Sequence, residues 1–487
     1  MRGPESLHAT SPERLIEQLR REEVRWIDLQ FVDLTGLLQH VTIPAHHLEA
    51  RHFSEGIPKL DGSSIRGFTD IHESDMRLAP DITTLRPLPW YAPPHKTYRL
   101  ICNIWEGFRH ERFSRDPRYA AERAVQQAAN QGFSISYWGP ELEFFVFDRV
   151  RIDPSPLGAA QSGSGSGYQL QSAEAPWTSG EFNLLPFAMK GGYYAAPPRD
   201  GLADLRNEMS RVLEDDFGIE VEAHHHEVAT SGQCEINIRF APLMEMADSI
   251  TSMKMVIKRT ALLYNRVATF MPKPIFGDNG SGMHTHQSLW KDGKNTFYDA
   301  DEPYAEVSQT CRYYIGGLMA HSQALTAITN PTTNSYRRLV PGYEAPVFIA
   351  WARGNRSANC RVPVYEKTVE KAKRVEFRTP DPSCNIYLAL AAMQAAGLDG
   401  IKHKLDPGNP VDEDIYKLTP HHRRELGIKE LPGSLRESLD HLESDHAFLD
   451  EVFPKDLLEH YFELKRQETL DVALRPTPLE FSLYLDV

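Results

Sequence analysis

Two glutamates one residue apart in GPELEFFVFD (139–148) put Glu141 and Glu143 on the same side of any strand that carries them, because strand side chains alternate faces. An isolated pair of this kind more often decorates a solvated face. Here Phe144, Phe145, Val146 and Phe147 follow, which marks a buried strand, where carboxylates are costly without a partner. The same spacing recurs at His284 and His286 in GMHTHQS and at Glu376 and Arg378 in RVEFRTPDP. The stretch HHHEVATSGQCE (224–235) adds Glu227 and Glu235. Its alternation aims His225 and Glu227 one way and His224 and His226 the other, so the three histidines cannot converge on one ion. We read the triple histidine mostly as scaffolding around two carboxylates. Glutamate-rich, thiolate-free donor sets suit Mg²⁺ or Mn²⁺ rather than structural zinc. Such ions clamp phosphates and assist phosphoryl transfer.

Two further features point to a small anionic ligand. GDNGSGMH (277–284) is a glycine-rich turn around Asn279 that lets backbone approach a ligand closely, and arginines crowd the stretch from Arg337 to Arg378. The turn lacks the P-loop order, and no dinucleotide GxGxxG opens a helix, so a nucleotide needs another cradle. A formal charge of -14, from 53 basic and 67 acidic residues, disfavours a general nucleic-acid or anionic-membrane surface. Five cysteines, widely spaced and never in CxxC pairs, argue against a disulfide framework or a structural zinc site. Cys234 reads as a small buried thiol.

The elements that must position these residues fall into two groups. A length of 487 residues exceeds one ordinary core, so we expect a small mainly β domain over residues 1–110 and a larger one over 111–487. Ser11 and Pro12 open an amphipathic helix over 12–24. WIDLQFVDLTGLLQHVTIP alternates around a Thr-Gly turn as a hairpin does, and TYRLICNIW reads as another strand. Beyond a helix near DPRYAAERAVQQAANQ, the strands ELEFFVF, CEINIRF and RVEFRT mix with the helices LADLRNEMSRVLEDDF and MADSITSMKMVIKRTALLYNRVATF. They are not in strict βαβ rotation, so the expected class is α+β with an antiparallel sheet. The Gly/Ser-rich segment 155–176 reads as a flexible surface loop with no assigned role. The N-terminus has no apolar signal core, and no run approaches a membrane span, so the expected location is the cytoplasm.

Together these blocks resemble the glutamine synthetase family, type I. The resemblance runs through DGSSIRGF, ESDMRLAPD, GPELEFFVFD, KGGYYAAPP, EAHHHEVATSGQCEIN, NGSGMHTHQSL, NPTTNSYRRLVPGYEAP, NRSANCRVP and RVEFRTPDPSCN. It implies ATP-dependent ligation of ammonia to L-glutamate through γ-glutamyl phosphate, in a nitrogen-assimilation role. It also implies a small β-grasp N-terminal domain and a catalytic domain with a curved antiparallel sheet and flanking helices. One Mg²⁺ or Mn²⁺ would be held by Glu143, Glu227 and Glu235, and a second by Glu141, His284 and Glu376. Glutamate would meet Asn279, Gly280, Arg338, Arg356 and Arg378. ATP would lie near Glu222, His286, Ser288, Arg361, Lys371 and Arg374. An ammonium pocket would combine Asp61 and Ser64 of a neighbouring subunit with Tyr193 and Glu344, and the catalytic set would be Asp61, Glu344 and Arg356.

VPGYEAP, with Glu344 between a glycine and a proline, suits a hinged flap that excludes water from the acyl phosphate. Each residue also has a plainer reading: Asp61 as the start of a turn, Glu344 as a solvated loop acid, Arg337 as a surface residue. The resemblance further implies a homododecamer of two stacked hexamers, anchored by the apolar C-terminal residues Leu479, Phe481, Leu483, Tyr484 and Leu485. A 2-oxoglutarate or glutamine effector, with Arg66 as an anion contact, and a PII-type regulator belong to the same expectation. EDIYKLTPHH holds Tyr416 without the adenylylation motif. The alternatives are a ligase for a larger amine, a polyamine or ethanolamine, and a silent ring-forming homologue. The complete set of pocket and metal residues speaks against both.

Overall fold

The fold is described from a computed structural model covering residues 11–107, 111–153, 167–177, 185–365 and 369–487. Ser11 caps α1 (Pro12–Arg21), which buries Leu15 and Leu19. The helix stops short of the expected residue 24 because Glu23 takes a left-handed backbone, φ 55°. The strands β1 (Trp26–Val32) and β2 (Leu38–Pro44) form the expected antiparallel hairpin, Trp26 opposite Pro44 and Val32 opposite Leu38. Gly36, at φ 93°, makes its turn, and the Asp33 carboxylate accepts from the Thr35 and Leu37 amides. The strands β3 (Ile57–Asp61), β4 (Asp75–Pro80), β5 (Arg86–Pro87) and β6 (Thr97–Glu106) complete a six-stranded sheet, order β2-β1-β6-β4-β3 with β5 on β6. Here β1 runs parallel to β6, and α1 packs on a separate apolar core that includes Ile27, Leu29, Leu78 and Leu100. This is the β-grasp arrangement.

The second sheet takes its order from β10 (Val221–His226), β11 (Gln233–Ile238), β7 (Ile135–Phe147), β14 (Thr285–Lys291), β19 (Val375–Phe377), β18 (Cys360–Val362) and β17 (Trp351–Arg353). Its pairings are antiparallel except β17 with β18. Three short strands, β12 (Ala241–Pro242), β13 (Val267–Thr269) and β15 (Lys294–Asn295), extend it. The helices α2 (Pro117–Asn130), α3 (Ala203–Asp215), α4 (Leu243–Leu263), α5 (Gln309–Ala320), α6 (Ser322–Thr329) and α7 (Ile386–His403) pack into one continuous core with the sheet. Within α7, all but a few residues near the C-terminal end are buried, so it has no polar face to expose.

Two further expectations need correction. The helix expected over 246–270 begins at Leu243 and ends at Leu263; Asn265 turns left-handed at φ 56°, and Val267–Thr269 then pairs with Phe145–Phe147 as β13. The segment 155–176 is not one flexible loop. Gly167–Gln171 is a strand, β9, paired with β8 (Arg149–Asp153), and Glu174 beyond it is buried; the portion 155–166 lies outside the described residues.

Arg118 ties the first sheet to the helices of the larger domain. It is buried on α2, reaching Asp81 of the first domain at 2.6 Å, Asp248 of α4 at 2.9 Å and Asn103 at 2.5 Å. Arg99 adds a 2.6 Å bond to Ser252, and the Asn385 amide reaches the Asp33 carbonyl at 3.1 Å. A buried guanidinium is tolerated because its fork is satisfied by carboxylates on both sides. All five cysteines are buried and free. Among the described residues no helix is long and apolar enough to cross a membrane.

His321, at the α5–α6 junction, ties the helices together. Its Nε2 lies 3.0 Å from Asp399 on α7, its Nδ1 2.9 Å from Asp445, and its ring stacks on Phe448 at 4.1 Å. Burial opposes its charge, but the hydrogen bonds to Asp399 and Asp445 win and raise it to about 9. The folded value lies above the unfolded one, so the stabilisation is complete below about 6.5 and is lost as the pH climbs towards 9. In urea denaturation, His321→Leu should therefore cost on the order of 2 kcal/mol more at pH 6 than at pH 9.5. A cost independent of pH would contradict the ion-pair account.

Candidate active site

Strand register brings the carboxylates together. Glu143 on β7 stands opposite Glu235 on β11, which stands opposite His225 on β10. Glu227, one residue past β10, turns back into this row: its amide donates to the Gln233 carbonyl at 2.8 Å, and its Oε2 accepts from the Val228 amide at 2.8 Å. His225 then lies 3.6 Å from Glu227 through Nδ1 and 3.6 Å from Glu235 through Nε2. Donor atoms of His225, Glu227 and Glu235 fall within 4.8 Å of one another, a metal-sized spacing. His225 is a donor that sequence reasoning misses, although strand alternation already aims it with Glu227. His226 faces away and is scaffold: its ring bridges the buried Glu174 carboxylate at 3.1 Å and the Glu227 carbonyl at 2.7 Å.

A second cluster forms on the other side of Glu141. The Glu141 amide donates to the His284 carbonyl at 2.8 Å, continuing the β7–β14 ladder past the first residue of β14. His284 Nδ1 then sits 3.4 Å from Glu141 and 3.8 Å from Glu376, and the three donors lie within 4.8 Å. His286 bonds Glu141 at 3.0 Å through Nε2 and accepts from Arg374 at 3.1 Å through Nδ1. Glu376 is gripped by Arg378 at 2.6 Å and by Arg361.

The two clusters are electrostatic opposites. In the first, burial and then the neighbouring carboxylates push both Glu143 and Glu227 well above the ordinary range. In the second, hydrogen bonds from His284 and His286 outweigh burial at Glu141 and hold it far down, while Arg378 heads the cations that hold Glu376 down to about 2. The carboxylates of the first cluster repel one another and are only partly compensated, by hydrogen bonds such as Gly282 N–H to Glu143 at 3.0 Å and by the charge of Arg338. This oxygen-rich, anionic donor set fits hard divalent cations, and the two triads fit two of them.

Beside the first cluster runs the glycine-rich turn. Asn279 is buried, and its Oδ1 has no hydrogen-bond partner among the described residues, the kind of polar atom a ligand can satisfy. At Gly280 an added Cβ would collide with the Pro272 carbonyl, and at Gly282 with the Arg338 guanidinium, so neither position has room for a side chain. Arg338 is buried and anchored by its Nη1 on the Thr379 and Pro380 carbonyls at 2.8 and 3.2 Å. Two supports have no signature in the sequence. Gln233 donates to Glu143 at 3.0 Å and to the Gly280 carbonyl at 3.1 Å. Asp278, fully buried, accepts from the amides of Asn279, Lys190 and Thr230 at 3.0, 3.1 and 2.8 Å. A buried Gln or Asp in a turn carries no periodicity that would reveal such a role.

The remaining expected residues divide. Tyr193 stacks on Tyr194 at 4.1 Å and meets the His225 ring edge-on at 5.8 Å, at the mouth of the first cluster, while Arg356 is exposed. Glu344 is exposed in the flap at φ 59°. His286, Arg361 and Arg374 join the second cluster, and Ser288 follows on β14, accepting from the Trp290 indole at 3.0 Å. Glu222 stands exposed on β10, and Lys371 lies in the turn Glu370–Ala372 before β19. Asp61 is exposed in the first domain, where its carboxylate accepts from the Ser63 amide at 3.0 Å, the Ser63 hydroxyl at 2.7 Å and the Ser64 hydroxyl at 3.1 Å. These bonds hold it below the usual carboxylate range. Arg66 is exposed in the same segment.

The chain is similar to proteins of one known family over nearly its whole length. Residues 23–107 match the glutamine synthetase β-grasp domain, and residues 114–484 match the glutamine synthetase catalytic domain. Glutamine synthetase of Sulfolobus acidocaldarius is 52% identical over 472 residues, covering 97% of this chain and 98% of that one. That of Frankia alni is 48% identical over 490 residues, covering 98% and 100%. The cryo-EM structure of Plasmodium falciparum glutamine synthetase superposes with a TM-score of 0.86 at 27% identity, over 97% of this chain and 98% of that one.

The Gln233 bridge makes a direct prediction. Gln233→Met removes the donor shared by Glu143 and Gly280, and should weaken Mn²⁺ binding by roughly tenfold in calorimetric titration, as loss of a supporting hydrogen bond typically does. A change below about twofold would show that Glu143 needs no such support.

Proposed function

The chain belongs to the glutamine synthetase family, and we propose that it joins ammonia to L-glutamate using ATP, giving L-glutamine, ADP and phosphate through γ-glutamyl phosphate. The observation that carries the reading is the pair of donor triads set beside a buried, unpartnered Asn279 and the anchored Arg338. The γ-carboxylate of glutamate is a poor electrophile, and phosphorylation by ATP makes its carbon attackable. Arg338, Arg356 and Arg378 supply positive charge for the glutamate carboxylates and the transferring phosphoryl group, while Asn279 and Gly280 offer the polar cradle for the amino acid. Glu222, His286, Ser288, Arg361, Lys371 and Arg374 bind ATP. Two divalent cations, Mg²⁺ or Mn²⁺, would be held by Glu143, Glu227 and Glu235, with His225 as a further donor, and by Glu141, His284 and Glu376; when bound, they neutralise phosphate charge and draw the two substrates together.

The ammonium pocket unites Asp61 and Ser64 of a neighbouring subunit with Tyr193 and Glu344. Asp61, its carboxylate held by two serines, attracts the ammonium cation and takes the proton that the cation must lose before it can attack. Glu344, on an exposed flap tip, receives the second proton as the amide forms. Assembly into a dodecamer of two stacked hexamers supplies the missing neighbour. The helix α8 (Pro478–Tyr484) supports it, for Leu479, Phe481, Leu483, Tyr484 and Leu485 are each more than half exposed on one protomer, an apolar surface that needs covering. The exposed Arg66 offers an anion contact for 2-oxoglutarate or for a PII-type regulator, and Tyr416 lies outside any adenylylation motif. We assign the enzyme to the cytoplasm.

The test is product formation from ATP and glutamate with ammonium and then a panel of amines. Glutamine from ammonium is expected; ligation of a polyamine or ethanolamine with none of ammonium would replace this reading. Asp61→Ala should raise the KM for ammonium by roughly tenfold or more, the loss expected for a direct charge partner, with the KM for ATP unchanged. Equal ammonium kinetics in variant and parent would remove Asp61 from the pocket.

A further inference from the structure

The flap between Pro341 and Pro346 is fastened at three points around its exposed glutamate. The Gly342 carbonyl accepts from Lys190 Nζ at 2.9 Å. The Tyr343 ring receives two ammonium groups, Lys273 Nζ 3.8 Å and Lys190 Nζ 4.2 Å from its centroid. The Ala345 carbonyl accepts from the Tyr416 hydroxyl at 2.7 Å. Gly342 at φ 91° and Glu344 at φ 59° are both left-handed, so the chain reverses on either side of Tyr343. The tyrosine ring is turned into the protein, half-buried, and Glu344 is turned out.

The two lysines are placed by the substrate turn itself. Lys190, left-handed at φ 61°, is held by its amide on the Asp278 carboxylate, 3.1 Å away. Lys273 is buried, its amide donating to Asn334 at 2.7 Å and its Nζ to the Asp278 carbonyl. Asp278 is the residue before Asn279, whose own amide it also holds. Two ammonium groups brought this close repel, and the negative face of an aromatic ring is what draws them to one place. A leucine of similar bulk cannot do this.

We propose that Tyr343 is the latch of the flap: a positioning residue that, through Lys190 and Lys273, keeps Glu344 over the reacting carbon and keeps water from it, so that ATP use stays coupled to amide formation. The inference rests on the glutamine-forming reading above. In the coupled reaction, ammonium gives one proton to Asp61 of the neighbouring subunit, the ammonia nitrogen bonds to the acyl carbon, the carbon–oxygen bond to phosphate breaks so that phosphate leaves, and the second nitrogen-bound proton passes to Glu344. In the leak, the oxygen of water forms that bond instead; glutamate is regenerated, its proton goes to solvent, and the net change is ATP and water to ADP and phosphate.

The experiment measures phosphate released per glutamine formed, with ATP, glutamate and Mg²⁺ at limiting ammonium, for the full-length parent and for Tyr343→Leu, Tyr343→Phe and Lys190→Met. The parent and Tyr343→Phe, which keeps the ring face, should release close to one phosphate per glutamine. Tyr343→Leu should release about fivefold more, and Lys190→Met should move in the same direction. Lys190→Met alters one exposed side chain and reports on the latch even if Tyr343→Leu fails to fold. Coupling in Lys190→Met equal to the parent's, or equal uncoupling in Tyr343→Phe and Tyr343→Leu, would overturn the latch. A parent that makes no glutamine would instead overturn the functional reading on which it rests.

Discussion

Glu143 stands opposite Glu235 across a hydrogen-bonded strand pair, and Glu227 folds back into the same space from the next strand. Like charges this close inside a protein resist ionising together, and burial with mutual repulsion raises Glu143 and Glu227. A fold gains nothing from such a cluster in isolation; its stability must come from elsewhere, and much of the remaining structure reads as that provision. The continuous core of α2 to α7 against the sheet fixes the register that forces the carboxylates together. The neighbouring triad is built the other way, with Arg361 and Arg378 gripping Glu376 and the rings of His284 and His286 set against Glu141. One sheet face thus holds a site short of positive charge beside one well supplied with it. Such an asymmetry suits two cations with different duties.

Buried polar side chains translate the sheet's rigidity into the loops. Asp278 gathers three amides from three segments, Gln233 joins the Glu143 carboxylate to the glycine turn, and Glu174 with His226 steadies the carbonyl of Glu227. The flap is fastened to the same frame through Lys190 and Lys273. By contrast Asp61 and Ser64 stay on the surface of the first domain, held to each other and not to this frame.

Much of this is legible in the amino-acid sequence. The i, i+2 pairs at Glu141/Glu143, His284/His286 and Glu376/Arg378 each fall on strands or strand ends, because period-two alternation is a local property that tertiary contacts seldom override. The hairpin around Gly36 and the α+β class follow from similar local signals. What escapes sequence reasoning is set by tertiary partners. His225 is easily discounted because three consecutive histidines look like one feature, whereas strand alternation splits them. Glu174 sits at the end of a Gly/Ser-rich stretch whose composition suggests solvent, yet it is buried against His226. The helix expected to run to 270 stops at Leu263, since the pattern stays apolar into β13 and only the backbone reversal at Asn265 separates the two.

The central claim is that the first triad is a set of mutually repelling carboxylates waiting for a cation to ionise them. Its most direct test is the proton balance of Mn²⁺ binding to the substrate-free protein, from calorimetry at pH 6 to 8.5 in buffers of different ionisation enthalpy. Glu143 and Glu227 lie above the ordinary range and hold protons that a cation must displace. The account predicts net proton release at pH 7, affinity that tightens as pH rises, and a smaller release in Glu227→Gln. Binding without proton release, and with affinity independent of pH, would contradict it.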